Sequence, residues 1–218
     1  MMAFKLPLAS KTIGLCILLL TVCYPIEAQV KGSFVDVRDG QTYETITYAI
    51  TVSKTIITDL DEYGTYFRNE PVNYELLLTD SMPSSMTWMT QNLSFEIEES
   101  RCKYDSDENC KVYGRLYTWY ASQNACPSGW HLPSDDEWYL LAYLYGGVSS
   151  AGEHLKSTEL NGTDSSLFNV KKPSIFWSSN ELGTDAAMDW KVNSRWVKLQ
   201  RWKGGKKFYN SVRCVKDY

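Results

Sequence analysis

Cys126-Pro-Ser-Gly-Trp-His-Leu-Pro-Ser-Asp-Asp-Glu-Trp138 runs directly into Tyr139-Leu-Leu-Ala-Tyr-Leu-Tyr145 and stops at Gly146-Gly147. Ser134 followed three residues later by Glu137 is a capping box, in which the hydroxyl accepts a first-turn N–H and the Glu carboxylate reaches back to the cap. Pro133 before it and the glycine pair after it punctuate both ends of a helix. Trp138, Leu141, Ala142 and Tyr145 fall at helical spacing, so one face of this helix is apolar and needs covering. Outward from it the pattern changes. Gly114 to Asn124 sets Leu116, Trp119 and Tyr120 on one helical face, and Ser150-Ala-Gly-Glu153 predicts a cap for a short helix ending near Thr158. Toward the N-terminus, Phe34-Val-Asp-Val, Gln41 to Ile57, Val72 to Leu78 and Met86 to Leu93 read as strands broken by Asp39-Gly40, Tyr63-Gly64 and Met82-Pro83. From Ile175 the strand pattern returns through Trp177, Trp190, Trp196 to Trp202, and Phe208 to Val215. Helices in the middle and strands at both ends predict an α+β domain.

The chain has 218 residues, 44% of them hydrophobic and 14% aromatic, with eight Trp and fifteen Tyr. Such a chain buries enough apolar surface to offset its ordering entropy, which excludes disorder. Its net charge of −4 argues against a dedicated nucleic-acid binder. The first 28 residues read as a secretory signal: Lys5 and Lys11, the apolar run Ile13 to Tyr24, then Pro25 and the small Ala28. That run is shorter than the about 20 residues a membrane span needs. Cleavage after Ala28 is the expectation. The competing reading is lipid attachment at Cys23, for which Val22 is the wrong neighbour.

Removing the signal takes away Cys16 and Cys23 and leaves Cys102, Cys110, Cys126 and Cys214, an even number in an exported chain. That reads as two disulfides formed in an oxidising compartment. Three pairings are possible. Cys102 and Cys110 flank a short polar segment, so local closure is the economical choice and leaves Cys126 to Cys214. On the loop-entropy view the short bridge is worth about 2.5 kcal/mol and the long one about 4.5 kcal/mol.

Six blocks resemble, in order, the Fibrobacter succinogenes major paralogous domain family: Arg38-Asp-Gly-Gln-Thr-Tyr43, Thr87-Trp-Met-Thr-Gln-Asn-Leu93, Cys110-Lys-Val-Tyr-Gly-Arg-Leu-Tyr-Thr-Trp119, Cys126 to Trp138, Phe176-Trp-Ser-Ser179 and Ser211-Val-Arg-Cys-Val-Lys-Asp217. Two of them also resemble the wider C-type lectin-like and formylglycine-generating-enzyme-like folds. The resemblance implies an exported protein of Fibrobacter or Bacteroidetes type. It also implies a C-type lectin-like mixed twisted sheet with two to three packed helices, long loops and two disulfides. On this reading residues 29–218 are one domain with a β-rich insertion at about 50–85, acidic and rich in Tyr.

The candidate ligand surface is C-terminal. Lys191 to Lys216 holds nine basic residues and no acidic one, leaving the rest of the mature chain at 11 basic against 25 acidic. Strand alternation would set Arg195, Val197, Leu199 and Arg201 on one face and Trp196, Lys198, Gln200 and Trp202 on the other. If the Val/Leu face is inside, the Trp residues stand beside Lys198 as an aromatic and cationic surface suited to sugar rings and their acidic groups. If the Trp face is inside, the basic residues only solvate a strand. The candidate contacts are Trp190, Arg195, Trp196, Lys198, Gln200, Trp202, Lys206 and Tyr209. Asp105, Asp107 and Glu108 form an oxygen-rich segment that would supply only part of the six to eight oxygens calcium takes, so a structural calcium is the weaker expectation and no cofactor is expected. No G-x-S-x-G or H-E-x-x-H motif occurs, His131 reads as a core residue at a helix entry and His154 as surface. Formylglycine-generating enzymes use a reactive cysteine pair near the C-terminus, where this chain has only Cys214. The expectation is a non-catalytic exported module that recognises a glycan or surface protein, peripheral to the outer membrane at most and with no nucleic-acid partner. The alternative is an assembly component in which the acidic insertion of one copy meets the basic face of another.

Overall fold

The computed structural model describes residues 29–50, 56–61, 72–77, 84–158, 162–163 and 168–218. The signal segment, the Cys23 alternative, and the side chains of the insertion lie outside the described residues. Among the described residues the fold is built on two larger sheets and four α-helices. The first sheet orders β1 (Gln29–Val35), β2 (Thr42–Ala49), β5 (Ser85–Met89), β13 (Val215–Lys216) and β8 (Trp130–His131), all antiparallel. The second orders β11 (Leu199–Gly205), β10 (Ala186–Val192), β9 (Ser174–Glu181), β12 (Asn210–Ser211), β7 (Leu116–Tyr117) and β6 (Ser100–Arg101). It is mixed, because β12 pairs parallel to β9. Inside the insertion, β3 (Ile56–Asp61) and β4 (Val72–Leu77) form a two-stranded antiparallel sheet of their own.

The helices are α1 (Asp107–Tyr113), α2 (Trp119–Ser122), α3 (Asp135–Tyr143) and α4 (Val148–Leu155). The Ser134–Glu137 capping box is present with both of its reciprocal bonds. Three expectations need correction. The helix expected over Gly114 to Asn124 is only α2, capped by Thr118, because Leu116 and Tyr117 are drawn into the second sheet between β12 and β6. Ser150 caps nothing: α4 begins at Val148 after Gly147, and the Ser150 hydroxyl donates to the Tyr145 carbonyl at 2.6 Å. The polar segment between Cys102 and Cys110 is not a plain turn, since α1 starts inside it. Both disulfides form as the spacing suggested, Cys102–Cys110 and Cys126–Cys214. The long bridge ties the approach to β8 to the start of the last strand, and the first and last described strands share the first sheet.

The aromatic load is explained by sheets covered on both faces. Strand β2 sends Tyr43 into one apolar cluster and Ile46 and Tyr48 into another, and β9 divides Trp177 and Phe176 in the same way. Trp138 of α3 is the hub of the larger cluster, with ring centroids 4.8 Å from Trp88, 5.5 Å from Phe176 and 5.9 Å from Trp190. Such ring pairs add to the area term of burial.

His131 is not a core residue. Its Nε2 lies 2.7 Å from Glu137 Oε1 and its Nδ1 2.7 Å from Asp217 Oδ1, while the Tyr218 hydroxyl donates to the same Glu137 oxygen. This fastens the C-terminus to the start of α3. The hydrogen bond to Glu137 pushes the His131 pKa up to about 9 against partial burial, with Asp217 adding to it. A folded pKa above the unfolded one means that the latch stabilises fully below the ordinary histidine range and is lost as pH rises through about 9. Thermal unfolding should therefore show a fall in Tm between about pH 7 and 10 that disappears in His131→Ala. An unchanged slope in the variant would assign the alkaline loss to other groups.

Candidate functional site

Strands β10 and β11 form a hairpin whose register opposes Asp189 to Trp202, Trp190 to Arg201 and Lys191 to Gln200. The strand expected from Arg195 begins only at Leu199, and residues 193–198 form the connection. Its shape has a local cause: the Asn193 side-chain oxygen accepts the Arg195 N–H at 2.9 Å, a turn that Asn favours. Helix α4 then pins its backbone. The Glu153 N–H donates to the Val197 carbonyl at 3.0 Å and the Lys156 ammonium to the Trp196 carbonyl at 3.2 Å. Gly152 lets the helix approach that closely, because a Cβ there would lie 2.4 Å from the Lys198 carbonyl oxygen. With the backbone bonded inward, Arg195, Trp196, Val197 and Lys198 are all exposed, and Trp196 shows 48% of its surface.

The other sequence candidates divide. Gln200, Trp202 and Tyr209 are half-buried. Trp190 is a correction: it is fully buried, its Nε1 donates to Asp135 at 2.8 Å, and it stacks on Trp138. Lys206 is a second correction, 2% exposed, its ammonium bonded to Glu181 and lying 4.6 Å from the Trp119 ring centre. Neither reaches a ligand. Tyr209 has one ring face covered by the Arg101 guanidinium at 4.0 Å, and Trp202 by the Lys191 ammonium at 4.3 Å. Of the nine basic residues, Arg201 and Arg213 also serve the interior. Arg201 bonds Asp135, and Arg213 bonds Asn92 and the Phe168 carbonyl. Arg195, Lys198, Lys203, Lys207 and Lys216 remain exposed.

Opposite Trp202 in the register lies Asp189, 3% exposed, with Oδ1 accepting no hydrogen bond and the Lys191 ammonium 3.8 Å away. Burial pushes its pKa up to about 6, against the opposing pull of Lys191 and Asn210. Gly204 makes room for it, since a Cβ there would sit 2.4 Å from Asp189 Oδ2 and 2.9 Å from the Trp177 ring.

The three acids of the weak metal expectation stand in other settings. Asp107 and Glu108 stand in the first turn of α1, where the helix dipole favours them, and Glu108 bonds Lys111 at 2.7 Å. Asp105 precedes that helix in a left-handed conformation. Among the described residues no group of three His, Cys, Asp or Glu side chains is placed to hold an ion.

The molecule is thus a disulfide-bonded α+β protein of two sheets that presents a pinned aromatic and cationic hairpin tip. Residues 84–171 match the family model described as the Fibrobacter succinogenes major domain, so over this stretch the chain is similar to that family. The match spans the Thr87–Leu93, Cys110–Trp119 and Cys126–Trp138 blocks, while the hairpin tip lies beyond it. No curated protein and no solved structure matches the chain. Among the described residues no helix is long and apolar enough to cross a membrane, and the two disulfides suit a compartment outside the cytoplasm.

An acid whose folded pKa is raised withdraws stability as pH climbs from the ordinary aspartate range to the folded value. Asp189→Asn should therefore gain stability relative to the parent between about pH 4 and 6, by on the order of 1–3 kcal/mol, read from paired urea titrations. A difference independent of pH would deny the burial of a charge at this position.

Proposed function

We propose that the chain is a non-catalytic, exported binding module that recognises a glycan or a surface protein through the β10–β11 hairpin tip. The observation behind this reading is the pinned connection, whose backbone bonds inward to α4 while Arg195, Trp196, Val197 and Lys198 face solvent together. A fixed loop gives up little further entropy on binding. Trp196 supplies a flat ring for sugar C–H faces, and the Arg195 fork matches a carboxylate or sulfate. Trp202 contributes less, because Lys191 already occupies one of its faces. A non-catalytic role agrees with the bonding of the reactive side chains: the four described cysteines are bridged, and both His131 ring nitrogens are engaged. Export and residence at the cell surface, peripheral to the outer membrane, fit the signal-like leader and the bridges.

On a glycan array and in calorimetric titration of its best hits, Trp196→Ala should weaken binding by about tenfold or more, the loss of a central aromatic contact. Trp202→Ala should cost less. Full retention of affinity in Trp196→Ala would remove the reading.

A second reading, assembly, draws on the β3–β4 hairpin, which pairs with no other described strand. The acidic insertion of one copy would meet the exposed basic face of another. Light scattering should then detect dimers or larger species at low salt that dissociate as salt screens the contact. A strict monomer at low salt would end this alternative.

A further inference from the structure

A concavity lies away from the hairpin tip. A cavity of about 420 Å³ runs between the residues after β5, the end of α1 and the approach to β9. A second, of about 190 Å³, continues toward β1 and shares Glu44, Thr90 and Asn169 with the first. The two adjoin through these shared residues as one groove, and the larger part alone falls within the size range of ligand sites. Its charge is unlike that of the chain. Lys31, Lys111, Lys171, Lys172 and Arg213 line it against Glu44, the single acid among the described lining residues, in a protein with more acidic than basic residues. Lys111 shares its ammonium with Glu108 in an exposed pair.

The floor is built. Asn92 donates to the Tyr113 carbonyl at 2.9 Å and accepts from Arg213 Nε at 2.9 Å, and Arg213 is itself 3% exposed. Gly114 at φ 71° closes this corner, where a Cβ would lie 2.7 Å from Asn92 Cβ. Asn169, in the wall common to both cavities, holds a left-handed conformation at φ 60°, a departure that an Asn accepts more readily than other residues with a side chain. Most of the larger cavity's lining comes from residues 84–171, the stretch that matches the family, whereas the hairpin tip comes from beyond it.

We propose that this groove is a second binding site, taking a strand of anionic polysaccharide whose carboxylate or sulfate groups meet Lys171, Lys172 and Lys31. Two adjoining cavities suit a chain rather than a single sugar. The amide and hydroxyl groups of Gln91, Thr90 and Ser174 along the walls suit its hydroxyls. The site does not depend on Trp196.

Affinity electrophoresis in gels containing polygalacturonate, heparin or neutral dextran tests it, with circular dichroism checking the fold of each variant. The parent should be retarded by one or both acidic polymers and not by dextran. Lys171→Glu with Lys172→Glu should weaken the retardation by about tenfold, since reversal turns attraction into repulsion. Lys203→Glu with Lys207→Glu, which carries the same charge change away from the groove, should leave most of it, and Trp196→Ala should leave it intact. Equal losses in the two charge-reversed variants would mean unspecific attraction and overturn the proposal, as would equal retardation by dextran or full binding in Lys171→Glu with Lys172→Glu. Retardation by heparin that single-stranded DNA competes away at equal charge would also overturn it, by showing that any polyanion serves. Loss in Trp196→Ala alone would keep the hairpin reading and reject the groove.

Discussion

The carboxylate of Asp135 holds the architecture together. It is fully buried, one residue into α3, and it accepts the Trp190 indole N–H at 2.8 Å and the Arg201 Nε–H at 2.7 Å. Its own backbone N–H donates to Asn180 at 2.7 Å. One residue therefore binds the first turn of α3 to β9, β10 and β11 together, and it sets where Trp138 enters the core one turn later. Removing one partner of such a buried pair strands the other charge, at a cost of about 3–5 kcal/mol. The capping box acts at the same point: Glu137 satisfies the Ser134 N–H and, through His131, holds the C-terminus. Helix start, second sheet and chain end thus converge on four consecutive residues, Ser134 to Glu137.

That convergence decides what the basic C-terminal segment does. A run of nine cations without an acid suggests a ligand surface, yet the fold uses several of them internally. Arg201 neutralises Asp135, Lys206 lies over Trp119, Arg213 lies under the groove, and Lys191 bridges Asp189 and Trp202. Burial of a cation is tolerable when a carboxylate, a carbonyl or an aromatic face replaces its water. The cations left outside are Arg195 and Lys198 in the hairpin connection, Lys203 on β11, Lys207 in the turn after it and Lys216 on β13. This is why the ligand reading contracts from a whole strand to residues 195–198, and why Trp190 leaves it.

Local signals were the legible part of the sequence. The capping box, the Asp39-Gly40 turn, the strands at both ends and the two disulfide pairings all follow from chemistry within a few residues or from counting. The hidden parts depended on distant partners. Tyr117 reads as helical until β12 and β6 pair on either side of it. The bend at Asn193 was masked by an alternation that continues through it, and only α4 packing on the Val197 carbonyl stops the strand there. The groove was invisible for the same reason, since Glu44, Thr90, Asn169 and Arg213 come from four separate stretches. The extent of the family resemblance needs the same care. Six blocks suggested it along the mature chain, whereas the match covers residues 84–171. The strands beyond that stretch complete both sheets around it.

Because the account places recognition on a fixed surface, the most direct test is a residue-resolved titration of the protein with its tightest array glycan, followed by amide and indole nuclear magnetic resonance shifts. The account predicts that the Trp196 indole N–H and the amides of residues 193–198 move with increasing ligand, while the buried Trp190 indole held by Asp135 stays in place. Shifts that leave the Trp196 indole untouched while perturbing Trp190 and the α3 start would contradict it, because the ligand would then act on the frame and not on the hairpin that the frame holds out.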